Sequence, residues 1–92
     1  MMPAVQHDPD SCRFYAEVDG HRAVLDYRRA GATMTILHTG VPDAIGGRGI
    51  AAELTRAALE YARSSRMNVR PLCSYASAYM RRHAEFSDLV AS

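Results

Sequence analysis

The densest chemistry in this sequence lies in one short run, Ile45-Gly46-Gly47-Arg48-Gly49-Ile50-Ala51. Three glycines in four positions let the backbone approach a ligand closely, and a helix starting at the end of the run turns its unpaired N–H groups and positive dipole end back onto it. Such a turn attracts an anion. Two familiar phosphate loops are excluded by residue type and order. A P-loop ends in Gly-Lys-Ser/Thr, and every one of the 11 Lys or Arg residues here is arginine. A dinucleotide fingerprint reads Gly-x-Gly-x-x-Gly at the start of a βαβ unit, whereas Gly-Gly-Arg-Gly-Ile-Ala follows three strand-like segments. Tight helix–sheet packing would use the same glycines, so the turn alone leaves both roles open. Three more groups could move a proton or take an acyl group: the imidazole of His38, the thiol of Cys73 and the phenol of Tyr79. Each has a structural alternative, as a strand histidine packed on a sheet, a small buried hydrophobe at a strand end, and an aromatic on an apolar stripe.

The elements that must position these residues are legible in the hydrophobic pattern. Residues Met1 to Ser11 are polar and contain Pro3 and Pro9, which predicts a loose arm over 1–12 ahead of one domain over 13–92. Phe14, Ala16 and Val18 alternate with Arg13, Tyr15 and Glu17, the period of a half-buried strand. Asp19-Gly20 signals a hairpin, His21 to Arg28 returns, and Ala32 to Thr39 forms a third, β-branched strand after a turn at Arg29-Ala30-Gly31. After Val41-Pro42-Asp43, the spacing of Ile50, Leu54, Ala57, Ala58 and Tyr61 predicts a helix from about Gly49 to Ser65, with Glu53, Arg56, Glu60 and Arg63 on its solvated side. Val69 to Leu72 reads as a short strand broken by Pro71. Ser74 is placed to cap a last helix carrying Ala76, Tyr79, Met80 and His83 on one stripe. The arginines near its end suit the helix dipole.

The predicted order is therefore β-β-β-α-β-α, an α+β fold in which an antiparallel meander is joined to a parallel fourth strand, with helices on the sheet faces. Pro71 costs no hydrogen bond if the third and fourth strands pair at one end and splay at the other. The splay would expose backbone groups of Leu37 to Val41 to an extended, amide-bearing ligand such as pantetheine.

Composition narrows the partners. With 92 residues and 48% hydrophobic content there is material for one modest core, and a net charge of +1 argues for neither nucleic acid nor an anionic membrane as partner. Arginines and aromatics are not clustered on one element, as a nucleic-acid surface would need. No apolar run approaches the ~20 residues of a membrane span, and the first residues lack the features of a secretion signal. Cys12 and Cys73 lie far apart in different contexts, which fits a reduced, cytoplasmic protein without a disulfide. No cluster suggests a metal.

Four ordered landmarks, Thr39-Gly40-Val41-Pro42, Gly46-Gly47-Arg48-Gly49-Ile50-Ala51, Pro71-Leu72-Cys73 and Ala78-Tyr79-Met80-Arg81-Arg82-His83, resemble those of the small YjdJ-type N-acetyltransferases of the GNAT superfamily. The resemblance runs from about Phe14 to Val90. It implies a GNAT-like fold that binds coenzyme A, with the pyrophosphate held by the turn and the pantetheine at Thr39 and Val41. In the superfamily the turn reads Arg/Gln-x-x-Gly-x-Gly/Ala; Gly49 and Ala51 match its end, and Gly46 stands where arginine or glutamine is usual. The cofactor-binding set implied is Thr39, Val41, Gly46, Gly47, Arg48, Gly49, Ile50 and Ala51. Family members usually carry a glutamate at the position of Gly40 to take the proton from the attacking amine, which leaves His38 as the local base. The resemblance also puts Cys73 beside the acyl thioester, as nucleophile or as structural residue, and makes Tyr79 the proton donor to the departing thiolate.

The implied activity is transfer of an acetyl group from acetyl-CoA to a primary amine by direct attack in an open site. So short a chain has little material to enclose a small acceptor, so an amine on a protein or peptide is favoured, and the protein itself would be a monomer or weak homodimer. The alternative is an acyl-CoA-binding or interaction module that has lost catalysis with its glutamate.

Overall fold

The computed structural model describes residues 4–91. Five strands form one sheet in sequential order: β1 (Gln6–Asp8), β2 (Arg13–Val18), β3 (His21–Ala30), β4 (Thr33–Gly40) and β5 (Asn68–Pro71). Helix α1 (Ile50–Ser64) crosses from β4 to β5, and α2 (Ser74–Arg82) follows β5 before a 3-10 segment over Ala84–Leu89. The first four strands pair antiparallel, and β4 pairs parallel with β5. This is the meander and crossover expected from the pattern.

The arm expected over 1–12 contributes an additional strand. Gln6, His7 and Asp8 pair with Tyr15, Phe14 and Arg13, and residues 1–3 lie outside the described residues. What holds this short polar segment is aromatic, not a periodic apolar pattern. The His7 ring stacks on Phe14 at 4.0 Å between centroids, meets Tyr61 edge-on, and lies 2.7 Å through Nε2 from the Tyr27 hydroxyl.

Alternation fixes which face of the sheet is covered. Phe14, Ala16, Ala23, Leu25, Tyr27, Met34, Ile36 and Val69 are buried and join Ile50, Leu54, Ala58, Leu59 and Ala62 of α1 and Ala76, Tyr79 and Met80 of α2 in one core. Both helices thus pack on the same face. The intervening residues Tyr15, Val24, Asp26, Thr33 and Thr35 are only half-buried, and Arg13 pairs with Asp26 there at 2.6 Å. Period-two patterning accounts for both faces. The β2–β3 hairpin turns through Asp19 (φ 51°) and Gly20 (φ 78°), the pair of positive φ values that matches strand twist and that Asp-Gly tolerates.

Burial of the aromatic cluster makes stability depend on pH from both sides. Burial holds the His7 imidazole below its ordinary 6.5, against a weaker opposing pull from Asp8. The unfolded chain then binds the proton more readily, so stability falls as pH drops below about 6.5. Burial, with Cys12 and Tyr61 nearby, pushes Tyr27 up to about 12 from 10.0, so the unfolded state ionises first and stability falls again as pH rises from 10.0 towards 12. Thermal melting followed from pH 5 to 11 is expected to show both declines, and His7→Gln to flatten the acid one.

Candidate active site

The parallel ladder between β4 and β5 is short. Thr33, Met34, Thr35 and Ile36 pair with Asn68, Val69, Arg70 and Pro71, and the ladder stops there. Its last acceptor is the Ile36 carbonyl, which takes both the Leu72 N–H and the Cys73 N–H at 3.1 Å. Beyond it, β4 runs on through Leu37, His38, Thr39 and Gly40 with no partner on the β5 side among the described residues. Pro71, which has no N–H to give, sits at the last rung. The splay expected from that proline is present.

At the same place β4 gains an extra residue. Asp26 lies opposite His38 and Tyr27 opposite Ile36, so Leu37 has no partner and forms a β-bulge. No feature of the sequence announced it; a β-branched and apolar run gives no sign of where its register slips. The bulge resets the alternation. Thr39 then faces the core side opposite buried Leu25, and His38 faces the open side opposite half-buried Asp26.

Thr39 and Cys73 are brought together, with Oγ1 3.5 Å from Sγ. Cys73, not Ser74 as expected, is the N-cap of α2: its backbone is extended and its carbonyl takes the Ser77 N–H at 3.0 Å. Burial disfavours ionisation of the thiol. The Thr39 hydroxyl and the amides of Ala76, Tyr75 and Thr39 outweigh it, and the thiol lies below its ordinary range.

His38 does not join this pair. Adjacent strand residues point to opposite faces, so the exposed imidazole lies across β4 from the thiol and cannot activate it directly. The imidazole folds over Gly40: a Cβ built on Gly40 would stand 2.9 Å from His38 Nε2 and 3.7 Å from Val24 Cγ2. His38 therefore occupies the space where a side chain at position 40 would begin.

Tyr79 is buried on α2, stacked on His83 at 3.9 Å, and among the described residues its hydroxyl has no side-chain or backbone partner. No buried polar side-chain atom lacks a partner among the described residues, so that hydroxyl keeps contact with solvent. Burial holds it above its ordinary range, and the charge of Arg56 on α1 opposes this. It lies on the α1 side of α2, two turns from the Cys73 cap.

The glycine turn follows a 3-10 turn over Asp43–Ile45. Gly47 and Gly49 have φ of 75° and 76°, and Gly49 is the N-cap of α1 in the left-handed conformation. That conformation requires glycine at little cost. Gly46 has an ordinary φ of −67° and gives its N–H to the Asp43 carbonyl at 3.1 Å. The first N–H of α1 with a backbone acceptor is that of Glu53, bonded to Gly49 at 3.1 Å. The six consecutive amides from Gly47 to Ala52 thus have no acceptor among the described residues. The Arg48 side chain is engaged elsewhere, 2.7 Å from Asp19 in the β2–β3 turn. Sequence reasoning missed this pairing, though the Asp-Gly hairpin signal named the residue. Ile50 is buried, and Val41 packs against the core just past β4.

A splayed parallel pair, a bulge beside it and a glycine-rich helix start define the architecture to be compared. The family model described as GCN5-related N-acetyl-transferase matches residues 13–89. This chain belongs to the GCN5-related N-acetyltransferase family. Protein NATD1 of Xenopus tropicalis is 36% identical over 80 residues, covering 84% of this chain and 73% of its own length. Protein NATD1 of Homo sapiens is 38% identical over 80 residues, 84% of this chain and 71% of its own. A GCN5-like protein of Staphylococcus aureus, solved in solution by NMR, superposes with a TM-score of 0.76 at 26% identity, over 97% of this chain and 88% of that one. The resemblance found in the four landmarks and the mixed fold expected from the pattern are those of this GNAT family. No helix among the described residues of this GNAT chain is long and apolar enough to cross a membrane.

The contact between Thr39 and Cys73 has a direct readout. Alkylation of Cys73 by iodoacetamide, followed site by site with mass spectrometry, is expected to rise with pH at a lower midpoint than for an ordinary thiol. Thr39→Val removes the hydroxyl and is expected to move that midpoint upward; an unchanged midpoint would show that the amides alone set it.

Proposed function

We propose that this chain is an acetyl-CoA-dependent N-acyltransferase that moves an acetyl group to a primary amine on a protein or peptide. The observation that carries this reading is the run of six backbone N–H groups, Gly47 to Ala52, without acceptors at the start of α1. A pyrophosphate suits such a run, because several fixed donors and a helix dipole neutralise its charge without any ordering of side chains. The GNAT family generally uses acetyl-CoA. In this reading Gly47, Arg48, Gly49, Ile50 and Ala51 hold the pyrophosphate through their backbone, Gly46 leaves room beside it, and Thr39 and Val41 border the gap that takes the pantetheine. The two free cysteines fit work in the reducing cytoplasm.

Coenzyme A supplies the acyl group as a thioester, activated towards an amine. His38 takes the amine's proton on the open face of the sheet, in the space above Gly40 where family members carry a carboxylate. As the new C–N bond forms and the C–S bond breaks, Tyr79, a phenol that is protonated at neutral pH, gives a proton to the leaving sulfur. Unpaired backbone N–H groups of β4 beyond Ile36 are the donors available to the acyl oxygen. Cys73 is held by Thr39 on the face away from His38, a position that supports direct attack by the amine over relay through an acyl-cysteine. Among the described residues no helix on the open face walls off a small acceptor, which favours an amine presented by another chain.

The test is release of free thiol from acetyl-CoA in the presence of a lysine amide at mildly alkaline pH. His38→Ala is expected to lower the rate by roughly 10²-fold or more, the usual worth of a positioned base. Adding Gly40→Glu to His38→Ala is expected to recover at least about a tenth of the wild-type rate, because removing the imidazole frees the place a Cβ at residue 40 needs. Full activity in His38→Ala would remove the base assigned here. Binding of acetyl-CoA with no thiol release by the wild type would leave an acyl-CoA-binding module.

A second substitution probes the turn. Gly46 has a φ any residue adopts, and a Cβ there meets the Asp43 carbonyl at 3.4 Å, the Pro42 carbonyl at 3.9 Å and Asp43 Cα at 4.0 Å, all ordinary contacts. Gly46→Gln is therefore expected to fold normally and to tighten coenzyme A binding by roughly tenfold, about one hydrogen bond to a charged group less the cost of ordering the side chain. Calorimetric titration checks it.

A further inference from the structure

Among the described residues the exposed large hydrophobics are Leu37 (41%), Leu72 (62%) and Val90 (49%). Two of the three stand at one place. Leu72 donates its N–H to the carbonyl of Ile36, the residue before Leu37, so the two leucines flank the apex of the splay, one on each strand. Cys73, which follows Leu72, donates to the same carbonyl, and its thiol meets Thr39 on the core side. Val69 is buried and Arg70 exposed, so alternation along the strand turns Leu72 to the open face. Among the described residues no helix covers that face, since both pack against the opposite one. Leu37 is exposed because the bulge lifts it out of the alternation that buries Ile36. Both leucines leave apolar surface in water at the spot where, if the reading above holds, the acyl group of the thioester must come.

We propose that this site accepts acyl groups longer than acetyl, with Leu72 and Leu37 as an open apolar platform for the alkyl chain. This rests on the acyl-CoA reading and extends it to the class of donor, short-chain acyl-CoA thioesters. An enclosed pocket cut to acetyl would reject one added methylene by roughly 10- to 200-fold, because the extra carbon meets a wall. At this apex there is no wall on the open face. An added methylene instead covers leucine surface already exposed and removes apolar area from water on both sides. The chain need displace no side chain from the core, since Leu72 and Leu37 are exposed already.

The experiment compares dissociation constants of acetyl-CoA, butyryl-CoA and free CoA by calorimetric titration of the wild type and of Leu72→Ser, which needs no acceptor amine. Butyryl-CoA is expected to bind the wild type about three- to tenfold tighter than acetyl-CoA, the effect of two partly covered methylenes. In Leu72→Ser that preference is expected to shrink to less than twofold while acetyl-CoA binds as before; so exposed a residue tolerates serine without loss of the fold. Equal or weaker binding of butyryl-CoA by the wild type would overturn the platform, as would a preference that survives Leu72→Ser. Either result leaves the acyl-CoA reading standing if acetyl-CoA binds. Failure of all three ligands to bind would instead sink that reading, and the platform with it.

Discussion

One carbonyl, that of Ile36, governs how the rest of this structure is arranged. It receives two N–H groups, from Leu72 and Cys73, and with them the pairing of β4 and β5 comes to its end. A parallel pair that zipped further along β4 would close the gap. Here the double bond anchors β5, along which the donors towards β4 include Asn68 and Leu72, so the Pro71 nitrogen faces the opposite edge and costs the ladder no hydrogen bond. The extra residue Leu37 then turns β4 away on the other side. The gap is thus built by the shared carbonyl at the end of the ladder and the bulge beside it, where residues 36–37 meet residues 71–73.

From that point the candidate groups sort themselves by face. Because Thr39 follows the bulge with its side chain on the core side, it meets the Cys73 thiol, whereas His38 beside it lies over Gly40 on the uncovered side. The imidazole thus lies on one side of the sheet and the thiol and the phenol on the other. The glycine turn contributes a separate constraint. Positive φ at Gly47 and Gly49 orients successive amides the same way, and the Arg48–Asp19 pair ties the turn to the β2–β3 hairpin. An ion pair this exposed adds little to stability, about 0–1 kcal/mol. Its consequence is to engage the Arg48 side chain with Asp19, so that the turn's free donors are backbone amides.

Much of this was legible in the residues, for reasons that can be named. Alternation in Arg13 to Val18, the Asp19-Gly20 turn and the stripe through Ile50, Leu54 and Ala58 each answer to one local rule, and each formed as expected. Pro71 was a local sign of the splay because a residue without an N–H fits only where the ladder asks for none. The strand Gln6–Asp8 was not legible, since it is held by the stacking of His7 on Phe14 and by its contacts with Tyr27 and Tyr61, residues distant in sequence. The bulge at Leu37 and the capping role of Cys73 escaped for the same reason: the first depends on the register of β3, and the second on where β5 ends. Cys73, His38 and Tyr79 were recognisable as reactive types, but only the fold separates them by face.

In the function proposed above, coenzyme A sits with its pyrophosphate on the amides at the start of α1. Amide resonances of Gly47 to Ala52, followed by NMR as coenzyme A is added to saturation, test it most directly. The account expects these six to shift together, with those of Leu37 to Gly40 along the gap, while the amides of β1 and of the β2–β3 pairing stay in place. Saturating coenzyme A that leaves Gly47 to Ala52 unmoved would contradict it.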